Sequence, residues 1–153
     1  MQSLMPAEKR LKYDRYFMDL AKRTAEMSYA EKRKVGCVIV RDEHVIAAGW
    51  NGQPTGYRTN KCEYVDENGD LKTYPSVIHA EANAIYWCAK TEIITNGATV
   101  YITLSPCKHC ALALIQSGIA RVVYEEEYWN TDKTGIDLLR EAGIVVDKIG
   151  DAK

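Results

Sequence analysis

The sequence predicts an α/β fold in which a largely parallel central sheet carries helices on both faces. Two β-branched runs, at residues 35–40 and 45–50, flank the turn-forming residues 41–44, and this arrangement is typical of a β-hairpin. After the hairpin, helical and extended segments alternate along the chain. Such alternation indicates β-α-β units, whose strands run parallel and whose helices cover the sheet.

The elements outside the hairpin follow from apolar spacing and composition. Apolar residues at helical spacing predict a first helix over residues 12–27. Turn-forming residues are dense over 51–56, which predicts an ordered loop, and the polar residues 60–75 predict a surface excursion. The later elements are helix 79–89, strand 98–104, helix 107–116, strand 120–124, helix 135–142 and strand 144–146.

Length and charge restrict the function. The chain has 153 residues, 46% of them hydrophobic, which favours one globular domain over residues 1–153. Lys and Arg total 20 and Asp and Glu total 21, so the formal net charge is −1. A domain that grips nucleic acid usually has a basic excess, and we therefore expect no nucleic-acid partner.

Compartment is predicted from the apolar runs and the cysteines. No apolar run follows the amino terminus, and none is long enough to cross a bilayer, so we expect no secretory leader and no membrane partner. Of the five cysteines, two stand in a C-x-x-C motif. This usage favours a reducing, cytoplasmic compartment over a disulfide scaffold.

Two motifs that are separated in the sequence together predict a metal site. His79 and Glu81 stand in an H-A-E motif, and Cys107 and Cys110 stand downstream in P-C-K-H-C. The His and the two Cys are ligands of the kind that zinc prefers, whereas the carboxylate need not bind metal. Three protein ligands leave the fourth position of a tetrahedral zinc open, as a catalytic zinc requires. H-x-E followed by P-C-x-x-C is the signature of zinc-dependent deaminases.

The spacing also predicts where two helices begin. Residues two apart on a mid-helix surface point almost oppositely, so His79 and Glu81 can serve one site only if the helix begins at or next to His79. Pro106 before Cys107 favours a second helix start, which places Cys107 and Cys110 near one face. Two helix amino termini would then favour thiolates at one metal, with Glu81 as the proton shuttle.

Other interpretations of the cysteines and of His109 stay open. The C-x-x-C motif is also found in redox pairs and as half of a structural zinc site. His109 stands between the two cysteines and is an alternative ligand, although it points away from their shared face. We expect Cys37 and Cys88 to be small core residues, and Cys62 to be an incidental residue of the polar excursion.

Six segments carry a resemblance to a known family. The segments are 35–40 (VGCVIV), 49–56 (GWNGQPTG), 79–85 (HAEANAI), 101–110 (YITLSPCKHC), 116–119 (QSGI) and 122–124 (VVY). In these segments, which run in order over most of the chain, the sequence resembles the deoxycytidylate (dCMP) deaminase branch of the cytidine deaminase-like superfamily. The resemblance implies a three-layer α/β/α fold around a mixed five-stranded sheet.

The resemblance also implies a reaction and a cofactor. One catalytic zinc per chain would activate water for attack on C4 of dCMP. Glu81 would take the water's proton and pass it to N3 and then to the departing ammonia. The product would be dUMP, a precursor for thymidylate synthesis. Ala30 stands where many relatives have a Cys, which some of them use with other residues for a second, structural zinc, and this departure favours a single zinc here.

Substrate contacts are implied in the same way. Asn51 is expected to bond the sugar 3′-hydroxyl, and the base edge is expected to meet the N–H of Ala80 and the carbonyl near Ser105. The phosphate is expected to meet segment 28–34 and residues after the fourth strand, with Ser28, Lys32 and Tyr128 as its contacts. The alternatives are that Lys32 is only a solvated residue before a strand, and that Tyr128 and Trp129 pack a subunit interface.

Regulation and assembly are implied for the family as well. Many members form hexamers that dCTP activates and dTTP inhibits, so we expect a homo-oligomer, with a hexamer as one form. The effector site is expected at Gly52, Gln53 and Pro54, with further residues from the excursion at 60–75.

Three other functions are compatible with the same zinc pattern. The first is a polynucleotide deaminase, such as a tRNA adenosine deaminase, which would favour basic and aromatic surfaces. The second is a nucleoside or dCTP deaminase, which differs from a dCMP deaminase only at the phosphate pocket. The third is a non-catalytic nucleotide-binding or structural zinc domain, in which Glu81 beside an open metal position would have no use.

Overall fold

The computed structural model describes residues 5–128 and 134–150. Four helices and seven strands follow one another within these residues. In chain order they are α1 (Ala7–Ala25), β1 (Gly36–Arg41), β2 (His44–Trp50), β3 (Glu63–Val65), β4 (Leu71–Thr73), α2 (Ala80–Lys90), β5 (Thr99–Leu104), α3 (Lys108–Gln116), β6 (Arg121–Glu126), α4 (Thr134–Glu141) and β7 (Val145–Lys148).

Five strands form one mixed sheet in the order β2-β1-β5-β6-β7. Strand β1 runs antiparallel to both of its neighbours, whereas β5, β6 and β7 run parallel. The mixed five-stranded sheet is therefore confirmed, but the expectation of a largely parallel sheet is wrong. Alternation of strands and helices specifies parallel crossovers only from β5 onward, and it carries no information about the direction of the non-consecutive pair β1 and β5.

The predicted hairpin is present, and its turn is tight. Arg41 pairs with His44, so Asp42 and Glu43 form a two-residue loop. Both loop residues have positive φ, 51° and 59°, as the turns that match strand twist require. His44 therefore begins β2 rather than lying in the turn.

Helices cover both faces of the sheet, as predicted. Helix α1 packs on one face through Phe17, Met18 and Ala21, beside β1, β5 and β6. Helices α2, α3 and α4 pack on the other face with the larger part of the core. The structure thus has three layers, and none of the described helices is long and apolar enough to span a membrane.

A buried ionic cluster joins α1 to the sheet. Asp14 of α1 accepts hydrogen bonds from Nη1 and Nη2 of Arg121, both at 2.8 Å, and from the hydroxyl of Tyr101 at 2.6 Å. Nε of Arg121 donates to Asp147 at 2.9 Å. Arg121 begins β6, so this cluster lies at the edge of the sheet opposite the carboxyl end of the parallel strand β5.

Two predictions about local structure need correction. Helix α1 begins at Ala7, five residues before the predicted start, because the polar first turn hides its helical spacing. The excursion at 60–75 is not wholly a surface segment. It contains the antiparallel pair β3–β4, and Cys62, directly before β3, is 1% exposed.

Candidate active site

Two helix amino termini meet at one edge of the sheet. His79 is the N-cap of α2 and Cys107 is the N-cap of α3, each with extended backbone. The predicted helix start at or next to His79 is therefore confirmed. A Cβ built on Gly49 would lie 2.4 Å from the carbonyl oxygen of Ala80, and one on Gly135 would lie 2.1 Å from that of Pro106. These close approaches of β2 and α4 fix the two helix starts.

The side chains of His79, Cys107 and Cys110 form a cluster. Their ligand atoms all lie within 4.8 Å of one another, and Nδ1 of His79 lies 3.3 Å from Sγ of Cys110 and 3.6 Å from Sγ of Cys107. Tetrahedral zinc with ordinary Zn–S and Zn–N bonds places N and S about 3.5 Å apart. The three residues thus fit a zinc ion and contribute three ligands, which leaves a fourth position for water or substrate.

The two thiols of the cluster differ in their titration. Hydrogen bonding with Cys110, then with His79, lowers the pKa of Cys107 to about 3, although burial opposes this shift. The interaction with Cys107 raises the pKa of Cys110, and burial adds to it. Hydrogen bonding to Cys107 raises the pKa of His79 against the effect of burial. The lowered pKa of Cys107 favours its thiolate, which is the form that binds metal.

Glu81 is buried beside the cluster. Its side chain is 4% exposed, and burial is the main cause that raises its pKa to about 7. Nearby His79 and a hydrogen bond with Cys110 act in the opposite direction. A divalent cation at the cluster would likewise favour the carboxylate form. The group is thus close to metal ligands and poised between its protonated and ionised forms.

A cavity of about 750 Å³ opens onto this cluster. Its wall combines metal-ligating, acidic, basic and apolar side chains. The lining residues that were predicted from sequence are His79, Cys107, Glu81, Ala80, Asn51, Ser105, Lys32 and Tyr128. Such a cavity is large enough for a nucleotide-sized ligand, and its polar groups come from several elements of the fold.

The segment of residues 28–35, which we call the strap, connects α1 to β1 along this cavity. Nδ2 of Asn51 donates to the carbonyl of Arg33 at 2.8 Å, and Oδ1 accepts from the N–H of Val35 at 2.9 Å. Ser28 is 3% exposed, and its hydroxyl donates to the carbonyl of Asn51 at 2.7 Å. Ser28 is not among the residues that line the cavity. The geometry favours a role for Ser28 in shaping the strap over contact with phosphate.

The far wall of the cavity comes from the end of β5 and the segment after β6. The N–H of Ser105 donates to the carbonyl of Glu126 at 2.8 Å, and Oγ of Ser105 accepts from the N–H of Tyr128 at 2.9 Å. These bonds place Tyr128 at the cavity mouth, where it is half exposed. Trp129 lies outside the described residues.

The loop at 51–56 is ordered, as predicted, and only its first residue, Asn51, is among the residues that line the cavity. Gly52 pairs with Ile78 through two backbone hydrogen bonds, at 3.1 and 2.8 Å. Nε2 of Gln53 donates to the carbonyl of Lys61 at 2.9 Å, and the carbonyl of Pro54 accepts from the N–H of Tyr57. The loop therefore ties the excursion to the residue before His79. Its part in effector binding stays a prediction.

The remaining cysteines and His109 lie in different environments. Cys37 and Cys88 are buried core residues, as expected, and His109 is exposed on α3 outside the metal cluster. Cys62 is not incidental, because it lines the cavity together with Glu63. Glu63 is 5% exposed and was missed by sequence reasoning. No periodic pattern marks it, since it lies in a short strand within a polar segment.

Comparison with known proteins agrees with this geometry. The profile of the cytidine and deoxycytidylate deaminase zinc-binding region matches residues 11–126. The deoxycytidylate deaminase of Mycobacterium phage D29 is 36% identical over 124 residues, which are 75% of this chain and 95% of the phage protein. The deoxycytidylate deaminase of Saccharomyces cerevisiae is 37% identical over 138 residues, 88% of this chain, and this chain spans only 44% of its length.

A solved structure covers nearly the whole chain. The crystal structure of dCMP deaminase from the cyanophage S-TIM5, in complex with dCMP and dUMP, has a TM-score of 0.82 and 36% sequence identity, covering 95% of this chain and 99% of that one. The predicted fold class and the zinc cofactor are thereby confirmed. With the profile match and the clustered ligands, these similarities show that the chain belongs to the cytidine and deoxycytidylate deaminase zinc-binding family.

Proposed function

We propose that this chain catalyses the zinc-dependent hydrolytic deamination of dCMP to dUMP and ammonia. The observation that carries the proposal is the placement of the buried Glu81 carboxyl beside the cluster of His79, Cys107 and Cys110, at the wall of a nucleotide-sized cavity. Similarity over 95% of the chain to a dCMP deaminase solved with dCMP and dUMP supports the choice of substrate.

The metal cluster would activate the nucleophile, which is the attacking water. His79, through Nδ1, and the sulfurs of Cys107 and Cys110 would hold a zinc ion, which would supply Lewis-acid activation of a water molecule. The two helix amino termini add partial positive charge at the same point, which stabilises the thiolates that the metal requires.

Glu81 moves the protons. It accepts a proton from the attacking water and delivers it to N3 of the pyrimidine ring. It then takes the remaining proton of the hydroxyl group added at C4 and passes it to the amino group, which leaves as ammonia while the C4 carbonyl forms. A carboxyl group whose burial raises its pKa to about 7 can act first as base and then as acid near neutral pH. Glu81 is almost completely buried, which limits the contact of its carboxyl group with bulk water.

The rest of the nucleotide is positioned by the cavity wall. The N–H of Ala80, in the first turn of α2, and the backbone near Ser105 meet the base edge. Asn51 meets the sugar, and Lys32 with Tyr128 meets the 5′-phosphate. All five residues line the cavity, which supports these roles.

Product use, assembly and compartment extend the proposal. The product dUMP feeds thymidylate synthesis, and the enzyme acts as a homo-oligomer, with a hexamer as one form, regulated by dCTP and dTTP through residues 52–54. A reducing, cytoplasmic compartment suits the protein, because none of the five cysteines, all of which lie in the described residues, forms a disulfide.

The decisive experiment compares substrates on one zinc-loaded preparation. Ultraviolet absorbance would follow deamination of dCMP, deoxycytidine, dCTP and a short single-stranded oligonucleotide, each with and without added dCTP or dTTP. We expect dCMP to be preferred over deoxycytidine by at least about a hundredfold in kcat/KM, because a charged phosphate contact is lost. Preference for the oligonucleotide would instead favour a polynucleotide deaminase. A sigmoidal dCMP curve that dCTP makes hyperbolic would support regulation, and a hyperbolic curve throughout would contradict it.

A further inference from the structure

The strap carries the basic side chains nearest the cavity. It has no helical or strand structure of its own between the end of α1 and the start of β1. Lys32 and Arg33 of the strap line the cavity that holds Glu81. The guanidinium of Arg33 also forms an ion pair with the carboxylate of Glu126. A segment without regular backbone pairing needs other contacts to hold two cations in a defined place.

Glu63 provides the central contact. Its carboxylate accepts the N–H of Glu31 through both oxygens, at 3.0 and 3.1 Å, and the N–H of Lys32 at 3.1 Å. These are charge-assisted bonds, which are stronger than bonds between neutral groups. Asn51 holds the other end of the strap, at Arg33 and Val35. Lys32 and Arg33 therefore stand between two side-chain anchors.

The burial of the Glu63 carboxylate indicates that its hydrogen bonds to the strap matter. Glu63 is 5% exposed, although its neighbours Tyr64 and Val65 in β3 are exposed. A buried carboxylate is costly unless its oxygens are fully hydrogen-bonded, and here both oxygens accept backbone N–H groups. An apolar side chain would pack this position without that cost but would leave two N–H donors of the strap unsatisfied.

The bonds of Glu63 run to the main chain and not to a basic side chain. They set the position of the backbone at residues 31 and 32 while Lys32 and Arg33 remain at the cavity wall. The donors also spread the negative charge of Glu63, which reduces its repulsion of a second anion in the cavity. The first residue of β3 thereby couples the excursion hairpin to the cavity rim.

We infer that Glu63 is a positioning residue for the phosphate end of the substrate: it holds the strap so that Lys32 and Arg33 meet the 5′-phosphate of a pyrimidine nucleoside monophosphate. This inference rests on the proposed dCMP deamination. Glu63 acts through the strap backbone, because its hydrogen bonds run to the N–H groups of Glu31 and Lys32.

The test uses Glu63→Gln, with Glu67→Gln as the matched control on the exposed turn of the same hairpin. The Gln side chain keeps the shape of Glu but has only one acceptor oxygen. One of the two N–H donors, that of Glu31 or that of Lys32, therefore loses its acceptor. We expect a rise in KM for dCMP of about tenfold, since a charge-assisted bond is lost. We also expect kcat within twofold of wild type, an unchanged kcat/KM for deoxycytidine, and faster hydrogen exchange at the amides of Glu31 and Lys32. Glu67→Gln should match wild type in all four measurements.

Several outcomes would overturn the inference. Equal losses on dCMP and deoxycytidine would show a general structural role, and tighter dCMP binding by Glu63→Gln would show that charge repulsion dominates. Unchanged exchange at Glu31 and Lys32 would show that Glu63 does not hold the strap. If wild type fails to deaminate dCMP, the proposed function is wrong, and the exchange data still decide whether Glu63 positions the strap.

A measurement on the wild-type protein covers the case in which the variant does not fold. Addition of dUMP should shift the amide resonances of Glu31 and Lys32, whereas deoxyuridine should leave them unchanged. Equal shifts with both ligands, or no shift with either, would contradict a strap that meets the phosphate.

Discussion

Nδ1 of His79 lies 3.3 Å from Sγ of Cys110, although the two residues are 31 positions apart in the chain. The contact exists because α2 and α3 begin at the same edge of the sheet and present their first turns to each other. Neither helix start holds a complete metal site. Zinc binding therefore depends on the packing of both helices against the sheet, and changes in that packing should be measurable as changes in zinc content.

Glu81→Gln should abolish turnover while leaving zinc in place. General acid–base catalysis contributes about 10²- to 10⁴-fold, so deamination of dCMP should fall by about 10³-fold or more. Zinc measured by atomic spectroscopy should stay near one per chain, because the metal cluster consists of His79, Cys107 and Cys110. Glu67→Gln, on an exposed turn, serves as the control. Loss of zinc in Glu81→Gln would show that this carboxylate is a ligand.

Removal of the metal should be reversible in the wild type and not in a ligand variant. Dialysis against a strong chelator should eliminate activity, and added Zn²⁺ should restore it, because the three ligands are brought together by the fold. Cys110→Ser should retain little zinc and recover no activity. Cys88→Ala, a substitution in the core portion of α2, should keep both zinc and activity per folded molecule. Full activity in zinc-free protein would refute the proposed chemistry.

Gly49→Ala should disturb the metal site by displacing α2. The added Cβ would lie 2.4 Å from the carbonyl oxygen of Ala80 and 2.6 Å from the backbone nitrogen of Ala84, so α2 must move away from β2. Overpacking of this kind costs about 1–3 kcal/mol of unfolding free energy, and displacement of catalytic groups by about 1 Å can cost about a hundredfold in rate. Denaturant unfolding and a zinc-loaded activity assay would measure the two effects. Gly150→Ala is the control, since a Cβ there meets no atom within 4 Å; equal behaviour of the two variants would contradict the close packing.

Asp14→Ala should reduce stability and spare the chemistry. It removes the partner of the buried guanidinium of Arg121 and the acceptor for the hydroxyl of Tyr101. Breaking a buried ion pair in this way costs about 3–5 kcal/mol. Because the cluster lies at the edge of the sheet opposite the metal site, kcat of the folded protein should remain within about twofold, as expected for well-separated sites. Asp19→Ala, on the exposed side of α1, should change the free energy of unfolding by less than about 0.5 kcal/mol. A large loss of kcat with little loss of stability would show that the two ends of the sheet are coupled.

The parts of the fold that the sequence predicted are those with a local signal. The hairpin at residues 36–50, the starts of α2 and α3 and the parallel order of the last three strands follow from periodicity, turn residues and alternation. The antiparallel pairing of β1 with β5 could not be predicted in this way, because the two strands are far apart in sequence. Their relative direction depends on which edge of the hairpin the chain returns to.

The candidate site likewise contains residues that the sequence predicted and contacts that it did not. His79, Glu81, Cys107 and Cys110 were predicted because their spacing restricts which side chains can share one ion. The burial of Ser28 and the bonds of Asn51 to the strap were not, because they depend on how three connecting segments pack. Such segments have no period, and their hydrogen bonds join residues distant in sequence.

By itself, the sequence predicted the candidate metal ligands, the candidate acid–base carboxyl group and the two helices that begin beside them, since all of these depend on spacings within single segments. Only the tertiary structure decided how the cavity is walled. In the folded protein, Glu63 of the excursion contacts the strap. Lys32 and Arg33 line the cavity, whereas Ser28 does not. The physical reason is that buried hydrogen bonds between irregular segments are selected by the packing of the whole domain, whereas ligand spacing is already set by the geometry of one helical turn.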